Sequence, residues 1–259
     1  MGKKTQKIYF EESPVARRHP KTDLLILARL LKDEGTKQFQ DEEHAAAAYQ
    51  TLVRWADMEV SGKLAEFNET QLQGLFLADV FGQGLGYTLA SEVADVWNLE
   101  QHYQIAPGQT PDAVLGKFQQ GEPRSPLTVV ELKGPKVHLD RDRSNGRTAI
   151  DQCWDYLVNT PTTCRWGIVS NIVSFRLYER DSTKQKYEHF ALQDLRDWNV
   201  FRRFYVLFHR HGLVEGVAKE EVRAVRLLKA TNNRQREVSE VLYKTYSESR
   251  VELIAHLHH

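Results

Sequence analysis

Cysteine is almost missing from this sequence. Cys153 and Cys164 are the only two among 259 residues, and their spacing suits no metal site. Reduced thiols in a cytoplasm are therefore expected. Long apolar runs are missing too. None approaches the roughly 20 residues needed to span a bilayer, and the opening MGKKTQKIYF lacks the apolar stretch of a secretory signal. A membrane is thus not among the expected partners. Net charge is absent as well, since 35 Lys and Arg face 35 Asp and Glu. That balance argues against a protein that holds nucleic acid by bulk charge alone. There is no internal repeat, no low-complexity segment and no ATP-binding G-x-x-x-x-G-K-[ST] pattern.

What is present is unevenly distributed. Residues 1 to 21 carry six basic side chains against two acidic ones, the mark of a solvated tail or a phosphate-binding arm. TDLLILARLLKD predicts a short helix with an apolar face of leucines. DEEHAAAAYQTLVRWADMEV predicts a second, with acidic residues at the end the macrodipole favours. A third, NETQLQGLFLADVFGQGLGY, has Asn68 as its N-cap and a glycine-rich stop. Glu69 and Gln73, four residues apart, share one of its faces.

From about residue 104 the pattern turns to strands. TPDAVLGKF and LTVVELKG flank the turn-rich QQGEPRSP. A polar loop, PKVHLDRDRSNGR, leads into a helix, TAIDQCWDYLVN, and strands resume with RWGIVSN, SFRLYER and KYEHFAL. Strand, helix, strand implies a crossover connection. LRDWNVFRRFYVLFHRHG then reads as one helix ending in cations at His209 to His211, and KEEVRAVRLLKA as another. The last helix repeats apolar residues at Val238, Val241, Leu242, Tyr246, Leu253 and Leu257, a stripe that needs a partner or self-association. The expected class is α/β, a mixed central sheet flanked by helices. Residues 1–65 form a basic arm and N-terminal helices, 66–192 the core and 193–259 a helical extension.

One strand carries an unusual ending. In VVELKG, Glu131 and Lys133 project to the same face while Leu132 points away. Asp112 opens the preceding strand, and a hairpin can bring it to the same place. Two carboxylates at one strand end repel unless a cation lies between them. A hard divalent ion such as Mg²⁺ prefers oxygen ligands of this kind. An adjacent ammonium can orient a water and stabilise charge developing on a phosphate. An ordinary ion-pair cluster would use the same residues, so the chemistry by itself leaves both readings open.

The order of the motifs adds to this. PD in TPDAVL, ELK in VVELKG, and Q-x-x-x-Y in QCWDY on the crossover helix together resemble the PD-(D/E)xK nuclease superfamily. Over residues 66 to 192 the chain is most similar to the N-terminal nuclease region of Type IIG restriction-modification enzymes, which both cut and methylate DNA. LYKTYSESRVELIAHL resembles the connector that leads into their methyltransferase. The resemblance implies that Asp112, Glu131 and the Leu132 carbonyl hold Mg²⁺, with Mn²⁺ able to substitute, and that Lys133 positions the attacking water. Gln152 and Glu69 would support metal, water or phosphate. Tyr156 could reach the metal site or a DNA phosphate, and Arg141, Arg143 and Arg147 could hold phosphates of double-stranded DNA. The implied products are a 5′-phosphate and a 3′-hydroxyl. The chain has no Asn-Pro-Pro-Tyr motif and no glycine-rich cofactor loop in a strand-turn-helix context. Methyltransferase and target-recognition domains are therefore expected elsewhere, in a longer chain or in partner subunits. The rival readings are the nuclease of a Type I-like restriction subunit, a repair exonuclease, and a non-catalytic DNA-binding module of the same fold.

Overall fold

The computed structural model describes residues 24–37, 42–92, 95–216 and 221–257. The basic arm of residues 1 to 21 lies outside them. Six strands form one sheet in sequence order: β1 (Val96–Gln101), β2 (Ala113–Gln119), β3 (Ser125–Leu132), β4 (Trp166–Ser170), β5 (Ser174–Glu179) and β6 (Tyr187–Ala191). β3 and β4 run parallel, and the other neighbouring pairs are antiparallel. Among the described residues seven α-helices accompany the sheet: α1 (Ala28–Lys37), α2 (Glu42–Val60), α3 (Glu69–Phe76), α4 (Ala149–Asn159), α5 (Trp198–Phe208), α6 (Arg210–Leu213) and α7 (Arg223–Leu257). The parallel pair requires a crossover, and α4 supplies it.

Alternation along the strands sorts their side chains into two layers. Leu99, Leu115, Val130, Leu132, Ile168, Phe175 and Leu177 share a core with α2, α3 and α5. Val114, Val129, Val169, Tyr178 and Tyr187 point the other way, into a second core with Ile150, Cys153 and Leu157 of α4. The mixed α/β architecture with helices on both faces is thus present. Close approach of α4 depends on Gly167 of β4, where a Cβ would lie 2.6 Å from Cys153 Sγ. Both helices that border the site start at capping boxes, Asn68 with Gln71 for α3 and Thr148 with Asp151 for α4.

Several boundaries differ from the sequence expectation. The first helix starts at Ala28, and the preceding Leu25 and Ile26 are buried without being helical. Ile26 N donates to Glu188 Oε1 at 2.7 Å and Leu27 N to Thr231 Oγ1 at 3.1 Å, so tertiary partners replace the helical ones. β1 falls before residue 104, in a segment that the sequence pattern did not mark as a strand. β3 begins early enough to include Pro126, tolerated because the register with β2 slips between Leu115 and Gly116, beside it.

The helix expected over LRDWNVFRRFYVLFHRHG is broken. His209 leaves helical geometry with ψ 150°, its Nδ1 accepts from His211 N, and Arg210 N donates to Leu85 O. Burial and the neighbouring His211 push the His209 imidazole down to about 3, so it is neutral, not a cation at a helix end. The two helices expected from residue 219 onward are one. α7 runs through Thr231, Asn232 and Asn233 without interruption, with Thr231 buried against the body. Ala224, Leu227 and Leu228 pack inward. Further along, Val238, Val241, Leu242 and Tyr246 are more than half exposed, as the expected stripe required. The side chains of Leu253 and Leu257 lie outside the described residues. No helix among the described residues is long and apolar enough to cross a membrane.

Candidate metal centre

The β2–β3 register sets Ala113 against Val130 and Val114 against Val129. One step outward, Asp112 stands opposite Glu131. Both side chains therefore project to the α4 side of the sheet, as Val114 and Val129 do. Glu131 is only 2 % exposed. Its Oε1 accepts from Lys133 Nζ at 2.5 Å. Asp112, Glu131 and Lys133, which the sequence pattern linked across a hairpin, are brought together.

Residues 132 to 134 lie at the end of β3, beyond its pairing with β2, and four contacts fix them. Leu132 N donates to Asp112 Oδ2 at 2.6 Å. Leu132 O accepts from Gln73 Nε2 at 3.1 Å. Lys133 N donates to Ser170 O at 2.8 Å, and Gly134 N to Glu69 Oε1 at 3.2 Å. Helix α3 thus brackets Lys133, one turn apart, with the Glu69 and Gln73 side chains. Glu69 was expected at the site and is there, holding the backbone. Gln73 shares its face but drew no site assignment from sequence.

Electrostatics follow from this packing. Burial, then the Asp112 charge, push the Glu131 carboxyl up to about 7 against the pull of Lys133. Asp112 is raised for the same first reason, with the Leu132 N–H and Lys133 opposing it. Burial would lower the Lys133 ammonium, but Glu131, Asp112 and Glu69 outweigh it and hold the amine protonated. Two carboxyl groups destabilised as anions are what an added cation would relieve.

A stability prediction follows. Carboxyls whose native pKa is raised bind more protons folded than unfolded. Stability is then lost as the pH rises from the ordinary 4.5 of glutamate through about 7. Asp112→Asn removes the like charge beside Glu131. The variant is expected to gain on the wild type by about 1 kcal/mol in metal-free buffer between pH 5 and pH 8, one pKa unit's worth. Denaturant titrations at the two pH values measure it, and a gap that does not widen toward pH 8 contradicts the like-charge account.

Gln152 and Tyr156 lie one turn apart on α4, both half-buried. Burial and the charges of Glu131 and Asp112 raise the Tyr156 phenol, which places it within electrostatic reach of the site. No hydrogen bond joins the Gln152 side chain to Asp112, Glu131 or Lys133 among the described residues. Cys153, beneath them, is buried and its thiol raised, first by burial and then by Glu131. It is no nucleophile.

The polar loop after Gly134 is tied down. Arg176, fully buried on β5, donates from both Nη atoms to the Asp140 carboxylate at 2.7 Å. Asn171 Nδ2 donates to Val137 O at 2.8 Å. Between these anchors and α4, Arg141, Arg143 and Arg147 are exposed. Arg147 pairs with Asp155 at 2.8 Å and Arg143 donates to Gly146 O at 2.8 Å. The anchoring pair of Asp140 and Arg176, 36 residues apart, is a second contribution that the sequence left unassigned.

Among the described residues no group of three or more His, Cys, Asp and Glu side chains gathers into a ready-made metal cage. A Mg²⁺ site does not need one, since that ion keeps several waters and takes one or two carboxylates. Asp112, Glu131 and the Leu132 carbonyl supply that oxygen set, and the raised carboxyls fit it. The chain was compared with protein-family models, curated proteins and solved structures, and none of them matches. Its chemistry has to be read from the residues themselves.

Proposed function

We propose that this chain is a Mg²⁺-dependent DNA endonuclease module of the PD-(D/E)xK class, of the kind at the N-terminus of Type IIG restriction-modification enzymes. The observation that carries the reading is the convergence of Asp112, Glu131 and Lys133 at one end of a β-hairpin, with a half-buried and a buried carboxyl group face to face. The order of helix, antiparallel pair, crossover helix and parallel strand supports it.

In this reading Asp112, Glu131 and the Leu132 carbonyl hold Mg²⁺, with Mn²⁺ a substitute. A bound divalent ion lowers the pKa of a coordinated water and offsets charge on a phosphate. The Lys133 ammonium orients the attacking water and stabilises the charge gathering on the scissile phosphate. Glu69 keeps Gly134, and with it the Lys133 backbone, in place. Gln152 and Tyr156 face the site from α4, and Arg141, Arg143 and Arg147 meet duplex phosphates along the anchored loop. Hydrolysis leaves a 5′-phosphate and a 3′-hydroxyl.

Phosphate contacts position a protein but do not read sequence. Base reading and methylation are assigned to target-recognition and methyltransferase domains outside these residues, in the same chain or in partners. The 259-residue chain should then cut random duplexes slowly, only with a divalent ion, without sequence preference, and with binding that weakens steeply with salt. Sequencing the cut ends and labelling their termini tests this. Discrete cutting at one sequence, or ends bearing a 3′-phosphate, would refute the reading.

A further inference from the structure

Leu132 is the last residue of β3, and its peptide carbonyl is not left to the sheet. Its N–H is taken by the Asp112 side chain, and its oxygen is met from α3 by Gln73 Nε2 at 3.1 Å. Gln73 is half-buried and sits one turn beyond Glu69, whose carboxylate holds Gly134 N. The capping box at Asn68 and Gln71 fixes the start of this helix, so both side chains project from a rigid element. A carbonyl oxygen has two lone pairs. One accepts from Gln73, which leaves the other for a cation.

Resting on the nuclease reading above, we infer that Gln73 is a positioning residue of the metal centre: its amide aims the Leu132 carbonyl at the space between Asp112 and Glu131. On its other edge the same peptide donates the Lys133 N–H to Ser170 O of β4 at 2.8 Å. The strand thus holds one side of the plane, and the helix side chain holds the carbonyl side, which no strand among the described residues meets. Without the amide, only the Lys133 N–H bond to β4 holds the peptide, and the carbonyl is a less preorganised ligand. Outer-shell groups of this kind typically contribute 10- to 100-fold to metal affinity. Gln73 touches neither the reacting phosphate nor the water in this account, so it acts on metal binding before it acts on turnover.

Gln73→Met keeps the length and helix preference of the side chain but removes the donor. Titration calorimetry of the full chain with Mn²⁺ compares wild type, Gln73→Met and Asp112→Asn, with a thermal melt of each in metal-free buffer. Expected are about 10-fold weaker Mn²⁺ binding by Gln73→Met, no measurable binding by Asp112→Asn, and melting of Gln73→Met within a few degrees of wild type. In cleavage assays, Gln73→Met should need more metal for half-maximal rate and recover most of the wild-type rate when saturated. Gln73→Glu, of the same length but with no donor when ionised, provides a second check, since it should not recover the wild-type metal dependence. Wild-type affinity in Gln73→Met, alongside lost binding in Asp112→Asn, overturns the role of Gln73 and leaves the nuclease reading standing. No binding by the wild type overturns both. A Gln73→Met variant that binds normally but turns over slowly at saturating metal also overturns the positioning role.

Discussion

Lys133→Ala is expected to slow metal-dependent strand cleavage by about 10²–10³-fold, the usual cost of removing one preorganised group aimed at developing charge. DNA affinity should change little, because one cation among many phosphate contacts contributes only a small part of binding. The substitution also removes the ammonium that opposes burial at Glu131, so the Glu131 carboxyl should rise further above its present value of about 7. Metal binding at neutral pH should weaken as a result and recover at higher pH. Assays at saturating Mg²⁺ and pH 8.5 therefore isolate the loss due to the missing ammonium itself. Cleavage at the wild-type rate under those conditions would reduce Lys133 to a partner of Glu131.

Asp140→Ala is expected to be among the most destabilising single changes. It leaves the Arg176 guanidinium, 1 % exposed, with no counter-charge beneath α4 and the loop. Breaking such a pair from one side typically costs about 3–5 kcal/mol. In a chain of this size that lowers the melting temperature by roughly 10 °C. Arg176→Met should be milder, since Asp140 is about one-fifth exposed and its carboxylate can be hydrated. Thermal melts of the two variants measure the asymmetry. Equal, small losses would show that the loop is not held by this pair.

The legible parts of the sequence were those with a local cause. VVELKG announced its strand through β-branched residues, and Asn68 announced a helix start through its cap. Alternation placed Glu131 and Lys133 on one face before any register was known. Other features depended on partners distant in the chain. Ile26 and Leu27 look helical by pattern, but their N–H groups find partners on β6 and α7. β1 has Asn98 and Glu100 among its apolar residues, and Asn98 Oδ1 is used by Thr88 N. The break at His209 is accompanied by packing against Gly86, where a Cβ would lie 2.8 Å from the imidazole, and by the Arg210 N bond to Leu85 O, both distant in sequence. Within the site, Gln73 could be seen to share a face with Glu69, but its target, a carbonyl 59 residues away, could not. Arg176 is one charge within the strand SFRLYER, and only the fold sets Asp140, 36 residues away, against it.

The most direct test of the metal centre is a crystal of the protein soaked in Mn²⁺, with data collected where that ion scatters anomalously. An anomalous peak should lie among Asp112, Glu131 and the Leu132 oxygen, with water completing six oxygen ligands and with Lys133 Nζ beside it but not bound. The Asp112→Asn crystal, soaked identically, should lack the peak. A peak located elsewhere, or none in crystals where no neighbouring molecule covers Asp112, would contradict the assignment of this strand end as a metal centre.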